Sequence, residues 1–535
     1  MKIDEDLGFD REDAFQTDDE ENRAERVCVD DCGDDTESDY ALASRNPSSN
    51  CLEVNNTTWP QSYRESMDML KGVTPPSINF LSGTTATGLI GSSSFRKHQS
   101  NDDESSHKKP LISERSFDEE VPTSTLLASQ QRIFANESTP SQRQCSFTQS
   151  LINGINVLCG IGLLTTPYAV KEGGWLSLSL LIIFGIIACY TGILLKRCLE
   201  SSPGLQTYPD IGQAAFGVAG RLMISVILYA ELYAACVEYV IMMSDNLSTI
   251  FPNASIDFAG IYLDSHQVFS IVGALTVLPT VCLRDLSLLS YLSVGGVGAS
   301  ILVVLCLLWV GAVDQVGFHG SGTALNLANL PISVGIYSFC YAGHSVLPNI
   351  YSSMKEPSLF PLVLVASFIF CWFACTGAAI SGFLIFGDSA ESQFTLNMPI
   401  KFTASKIAAW TVVIITVSKY ALTLTPIALS VEELVPSMTQ FRSYGVSIII
   451  RTALVISTLV VAMTVPFFAF VMALAGSLLA MLLCIIFPCA CYLSILRASL
   501  TKLQKAVCIG IAVLGLVIAC FGTYSAILRI AGQLD

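Results

Sequence analysis

The 535-residue chain reads as an all-α integral membrane protein: eleven transmembrane helices, as an inverted five-plus-five repeat and one extra helix, behind a disordered N-terminal tail. Three observations lead there. Apolar runs long enough to cross a bilayer recur through residues 147–532. Charge is segregated: residues 1–146 hold 28 acidic and 14 basic residues, a net of −14, and the remainder holds 16 and 15, a net of −1. Two of the runs are broken by glycine and proline in their middles, five spans apart.

The tail, 1–146, is rich in Ser, Thr, Asp and Glu and poor in aromatics, so it buries too little apolar surface to offset its ordering entropy. It opens Met1-Lys2-Ile3-Asp4-Glu5-Asp6, without the apolar core of a signal peptide, which leaves targeting to the first span. Cys28-x-x-x-Cys32 lacks a second ligand pair, so no metal site is expected. Ser113 and Ser116, flanking Arg115 ahead of Asp118-Glu119-Glu120, suit kinases, although an unmodified solvated tail fits equally. No basic stripe exists to bind nucleic acid.

The eleven spans fall near 148–170, 175–196, 222–249, 267–283, 290–313, 328–350, 360–386, 405–427, 446–465, 468–495 and 506–529. Pro466 supplies the weak joint between the ninth and tenth. Loops after the even-numbered spans carry ten basic residues (Lys196, Arg197, Arg221, Arg284, Lys355, Arg442, Arg451, Arg497, Lys502 and Lys505). The opposite side carries four: Lys171, Lys401, Lys406 and Arg529. The richer side is expected to be cytosolic, and the N-terminus with it. Two glycosylation sequons, at Asn246 and Asn253, then face away from the cytosol; Asn253 is the better acceptor because Asn246 lies close to the membrane. Sequons at Asn55, Asn56 and Asn136 would stay unmodified.

The first break is Gly160-Ile161-Gly162, followed by Pro167, a poor recipe for a continuous helix. Unwound backbone in hydrocarbon costs several kcal/mol per unpaired group, roughly, unless it faces protein, water or a ligand. The sixth span repeats the device after Pro331, reading Gly335-Ile336-Tyr337-Ser338-Phe339-Cys340-Tyr341-Ala342-Gly343-His344, with Pro348 beyond. Glycine and proline are common in membrane helices, so one break alone means little. Two at matched places, an odd number of spans apart, imply inverted repeats with a substrate between them. The helix start at Gly162, Leu163 and Leu164 offers free N–H groups to a carboxylate. Carbonyls near Ser338–Ala342 suit an ammonium, and the two together fit an α-amino acid. Phe339 and Tyr341 either line the pocket or pack beside it.

Ionisable residues inside spans are the next clue. Glu231, Glu238 and Asp245 follow at seven-residue spacing, on one stripe of the third span, with Glu238 near its middle. Lys419 stands alone in the interior of the eighth span, Lys406 lying at its edge, and His344 in the sixth. Lys419 can take the place of a sodium ion, its ammonium against carbonyls of the first span; snorkelling, or pairing with Glu238, is the structural alternative. His344 can relay protons or be a hydrogen-bonded structural residue. There is no nucleophile elbow, His-Glu-x-x-His or phosphate loop, so neither an enzyme nor a cofactor is expected. Gly295-Gly296-Val297-Gly298 reads as helix packing.

Residues 145–530 resemble the amino acid/auxin permease family. The most specific parts are Asn153-Gly154-Ile155-Asn156-Val157-Leu158-Cys159-Gly160-Ile161-Gly162-Leu163-Leu164-Thr165-Thr166-Pro167-Tyr168-Ala169, Lys171-Glu172-Gly173-Gly174-Trp175 and Tyr341-Ala342-Gly343-His344 with Pro348. Within it the chain looks most like the plant and fungal vacuolar transporters of the first class, relatives of the vesicular inhibitory amino acid transporter. The resemblance implies a leucine-transporter-like fold, alternating access and proton-coupled transport of amino acids, mainly neutral, across the vacuolar membrane. Substrate-binding positions would be Asn156, Gly160, Ile161, Gly162, Leu163, Leu164, Ser338, Phe339, Tyr341, Ala342 and Gly343. Lys419, Glu238 and His344 would handle protons. The partners are the amino acid, protons and the bilayer, with kinases at the tail. The rival expectation is a receptor that binds an amino acid and signals through the tail without net transport.

Overall fold

The computed structural model describes residues 145–258, 261–282, 287–314, 316–318, 322–435 and 440–534. The expected disordered tail, with its cysteines, Ser113, Ser116 and three sequons, lies outside the described residues, as does Arg284.

The first segment is two helices, α1 (Phe147–Leu158) and α2 (Gly162–Gly173), bent by 44° at their break. Ser146 caps α1 by accepting from the Gln149 amide at 3.3 Å. Pro167 does not cause the break, contrary to expectation: it sits inside α2. Its missing N–H would strand the Leu163 carbonyl, and the Thr166 hydroxyl donates to that carbonyl at 2.9 Å instead.

A short 3-10 turn, Trp175–Ser177, leads into α3 (Leu178–Leu199). Helix α4 (Tyr208–Ile250) starts well before the expected 222. Thr207 and Asp210 form a capping box at its start, and a kink at Phe216 and Gly217, where Gly217 takes φ 67°, separates its first two turns from the apolar part. A small hairpin follows, β1 (Ile256–Phe258) against β2 (Ile261–Leu263), which the apolar pattern gave no hint of. Next come α5 (Ser265–Cys282), α6 (Ser287–Ala312), and the second broken segment, α7 (Leu330–Phe339) and α8 (Leu347–Ser353). Helix α9 (Phe360–Phe386), the short α10 (Phe394–Asn397), α11 (Thr403–Glu433) and α12 (Gln440–Thr464) follow. The tenth run is α13 (Phe468–Ala475), a π-helical stretch over Gly476–Ile486, and α14 (Phe487–Ile495); α15 (Lys502–Leu534) closes the chain. Pro466 falls in the non-helical joint between α12 and α13, as expected.

Among the described residues nine helices are long and apolar enough to cross a membrane, and the bent pair α1–α2 makes a tenth. The expected broken sixth span is the short apolar α7 and the shorter α8, parted at residues 340–346.

The two broken segments lie antiparallel along their whole length. A Cβ on Gly343 would touch Val157 and Leu158, one on Gly162 would touch Cys340, and one on Gly173 would touch Ser333. The Ser333 hydroxyl donates to the Ala169 carbonyl at 2.7 Å, and the Cys145 amide donates to the Ser353 carbonyl at 3.0 Å. Each break therefore faces the other, as an inverted pair requires. Around this pair, α11 packs along both α4 and α6, while α9 covers α1 and α2.

Candidate transport site at the crossed breaks

A cavity of about 280 Å³ opens where the breaks meet. Its walls come from four elements: the end of α1 and the break, mid-α4, residues 339–346, and α11. Asn156, Gly160, Ile161, Gly162, Phe339, Ala342, Gly343 and Lys419, all singled out by sequence, line it. Glycine is required at the crossing itself: a Cβ on Gly162 would stand 2.9 Å from the Cys340 Sγ and 3.0 Å from its Cα. Gly296 of α6 lies directly against the Asn156 Oδ1, which is the packing role expected of the glycine cluster.

Lys419 reaches the break from α11. Its Nζ donates to the Asn156 carbonyl at 3.4 Å. It also borders a second cavity of about 30 Å³, on the α2 side of the break beside Leu163, Leu164 and Ser300. That volume suits a water molecule or two. The Ser300 hydroxyl donates to the Cys159 carbonyl at 3.2 Å, so one carbonyl in the last turn of α1 and one in the break have side-chain donors. Among the described residues no ion pair joins Lys419 to a carboxylate, which removes the pairing with Glu238.

Other sequence candidates turn away from the large cavity. Tyr341 is buried, donates its hydroxyl to the Leu181 carbonyl at 2.9 Å and stacks on Phe368. The His344 ring lies with Nε2 3.0 Å from both Thr191 Oγ1 and the Ala188 carbonyl. Because that carbonyl can only accept, Nε2 carries a hydrogen and the ring braces the broken segment against α3. Ser338 donates its hydroxyl back to Val334 at 2.6 Å. The carbonyls of Ser338 and Phe339, expected to be free, accept the Tyr341 and Ala342 amides at 3.2 and 3.0 Å, because the chain tightens into turns there.

The acidic stripe of α4 is real but spread in depth. Seven residues advance a helix by roughly 10 Å, so its three members meet different surroundings. Glu231 lies in the cavity wall beside Ser345. Glu238 is fully buried, and neither carboxyl oxygen has a hydrogen-bond partner among the described residues. Asp245 pairs with His266 at 3.2 Å and accepts from Gln393 Nε2 at 2.9 Å. Sequence reasoning passed over Glu231 and Ser345 for the cavity; the stripe had flagged Glu231, but only depth selects among its members.

On the α2 side the protein is closed. The Trp175 and Leu176 amides bond the carbonyls of Thr323 and Ala324, the Asn326 amide bonds that of Gly173, and Lys171 Nζ bonds that of Ala390. Trp175 packs edge-on against Phe383. Asn246 is buried and donates to Gln393 Oε1 and to the Met242 carbonyl, whereas Asn253 is exposed.

The family profile described as "Transmembrane amino acid transporter protein" matches residues 143–528. Amino acid transporter AVT1D of Arabidopsis thaliana is 55% identical over 100% of both chains. Amino acid transporter AVT1E of the same plant is 53% identical, again over 100% of both. Among solved structures, MhsT in complex with L-phenylalanine overlaps 70% of this chain and 98% of its own at 12% identity and a TM-score of 0.42. An unbroken match across the crossed helices, and relatives alike from end to end, place the chain in the transmembrane amino acid transporter family, whose members are transporters and not enzymes.

Proposed function

We propose that this amino acid transporter is proton-coupled, prefers neutral amino acids, and works by alternating access in an intracellular membrane, the vacuolar one. The observation that carries the reading is the cavity at the crossed breaks, with an ammonium donating to the last turn of α1 beside the break. The Leu164 amide, expected to be free, donates to the Ile161 carbonyl at 3.0 Å, so the amides ahead of it, at Ile161 and Gly162 in the cavity wall, would take the substrate carboxylate. Lys419 occupies the place a cation would hold against the α1 carbonyls, and an ionisable group there can couple transport to protons. Glu238, enclosed and without a hydrogen-bond partner among the described residues, is a second candidate for holding a proton. His344, braced between α3 and α9, contributes position. The distribution of Lys and Arg supports a cytosolic N-terminus, with any sugar on Asn253 and kinases acting on the tail. The vacuolar setting rests on the resemblance to the vacuolar class.

The test is uptake of each of the twenty amino acids by purified protein in liposomes under an imposed pH gradient. Accumulation that collapses when the gradient is dissipated supports the reading. Binding without uptake would replace it with the amino acid receptor.

A further inference from the structure

The large cavity contains a charged group that the proposed cycle has not used. Glu231 projects from mid-α4 into the wall and is only 8% exposed. Its carboxyl lies within hydrogen-bonding reach of the Ser345 hydroxyl, two residues beyond Gly343. The other oxygen, Oε1, is enclosed and has no hydrogen-bond partner among the described residues. A buried carboxylate oxygen without a donor is costly, so this one is built to meet a donor that arrives and leaves.

We infer that the Glu231 carboxylate, steadied by Ser345, receives the α-ammonium group of the substrate and thereby selects compounds that carry a free cationic nitrogen beside their carboxylate. The inference rests on the proposed transport of α-amino acids and deepens it. Three observations converge. Of the backbone acceptors expected to hold the ammonium, Ser338–Ala342, those of Ser338 and Phe339 already accept turn hydrogen bonds and those of Cys340 and Tyr341 accept from the thiols of Cys371 and Cys484. The cavity's other charged wall residue, Lys419, is a cation directed at Asn156, so it cannot receive an ammonium. Glu231 and the break residues Gly160, Ile161 and Gly162 line the same cavity from different helices, so a zwitterion can reach both. The remaining walls near Glu231 are Leu232, Ala235 and Val346, where an unpaired cationic nitrogen would find no other anion.

The experiment is competition for uptake of radiolabelled L-alanine and L-phenylalanine into proteoliposomes, by lactate and 3-phenyllactate, which replace the ammonium with a hydroxyl. Wild type should discriminate strongly against the hydroxy acids. Glu231→Gln should raise the half-saturation concentration for both amino acids at least about tenfold, the weight of a charge-assisted hydrogen bond, and leave hydroxy-acid competition unchanged. Glu231→Asp should recover part of the loss. Ser345→Ala, which keeps the carboxylate, should raise the half-saturation value by a smaller factor; it decides the matter if Glu231→Gln does not elute as folded protein, and an unchanged value then overturns the inference. Equal competition by hydroxy and amino acids in wild type, or wild-type discrimination in Glu231→Gln, also overturns it. A wild type that takes up none of the twenty amino acids would instead defeat the transport reading beneath it.

Discussion

Replacing Gly162 by alanine sets two opposed effects against each other at the crossing of the breaks. Gly162 is the first residue of α2, and alanine there favours the helix by up to about 1 kcal/mol. The new Cβ, however, falls 2.9 Å from the Cys340 Sγ, 3.0 Å from the Cys340 Cα and 3.4 Å from its amide nitrogen. Comfortable separations between carbon atoms begin near ~3.5 Å, so the segments must part by about half an ångström. Overpacking of this kind costs roughly 1–3 kcal/mol. Packing therefore wins, and Gly162→Ala should destabilise the protein by up to about 2 kcal/mol net. Transport should suffer more than stability, because the same crossing sets the width of the cavity. Gly160→Ala is the internal control for stability alone, because Gly160 also lines the cavity: a Cβ there meets nothing closer than the Val157 carbonyl at 3.8 Å. Adding Cys340→Ala to Gly162→Ala removes the clash with sulfur but leaves the clash with the backbone of residue 340, so rescue should be partial, a coupling that a double-mutant cycle reads directly. The measurements are thermal unfolding in detergent and initial uptake rates in proteoliposomes. If Gly162→Ala is as stable and active as wild type while Gly160→Ala is destabilised, the breaks do not cross as described.

Three further outcomes follow from the same geometry. Lys419→Met keeps the side chain's length but removes the donor to Asn156; uptake driven by a pH gradient should fall at least about tenfold while the protein stays folded, and unchanged pH dependence would end the cation-replacement role. Gly476→Ala drives a Cβ into the Gly335 carbonyl, backbone against backbone, and should cost more than Gly162→Ala, roughly 3 kcal/mol or above, seen as loss of monodisperse protein; normal yield would show that the π-helical stretch does not pack on α7 this closely. Uptake of alanine or phenylalanine should be inhibited by other neutral amino acids at least about tenfold better than by arginine or glutamate; equal inhibition would refute the neutral preference.

What the sequence could disclose was local chemistry. Gly160-Ile161-Gly162 and the stretch around Gly343 announce themselves because glycine and proline act on their own backbone, and both breaks appear where they were expected. Lys419 was legible for the same reason, as a single cation in the interior of an apolar run. Facing and depth were not legible. Tyr341 and His344 sit in the same break as Ala342 and Gly343, yet they turn toward Leu181 and Ala188 of α3. Glu231 and Glu238 share a stripe, yet only one meets the cavity. The π-helical stretch Gly476–Ile486 has no period distinct from an ordinary apolar helix, so nothing in its residues gave it away. The error at Pro167 was of another kind: a breaker was read without its neighbour Thr166, whose hydroxyl supplies the donor that the proline lacks.

The charges around the cavity bear on why a neutral amino acid suits it. Glu231 and Lys419 enter from different helices, and the rest of the wall is largely aliphatic. A zwitterion brings one charge of each sign. On the proposed pose its ammonium meets Glu231 and its carboxylate meets the amides of Ile161 and Gly162, while Lys419 stays on the Asn156 carbonyl, so the loaded cavity gains no net charge. An arginine or glutamate side chain adds a charge for which the cavity has no spare partner, and burying an unpaired ion costs several kcal/mol even after relaxation, by order of magnitude. A few kcal/mol is a factor of about a hundred or more in affinity, enough to set a preference without any steric filter. The same arithmetic limits the empty carrier. With no substrate, Glu231 faces closure as a carboxylate with one oxygen unpaired, so passage of the empty site through a dehydrated state requires either a proton on that oxygen or a cation beside it. Substrate recognition and coupling would then meet on one carboxylate, which is why the position of Glu231 in the wall matters more than the number of acidic residues in the helix that carries it.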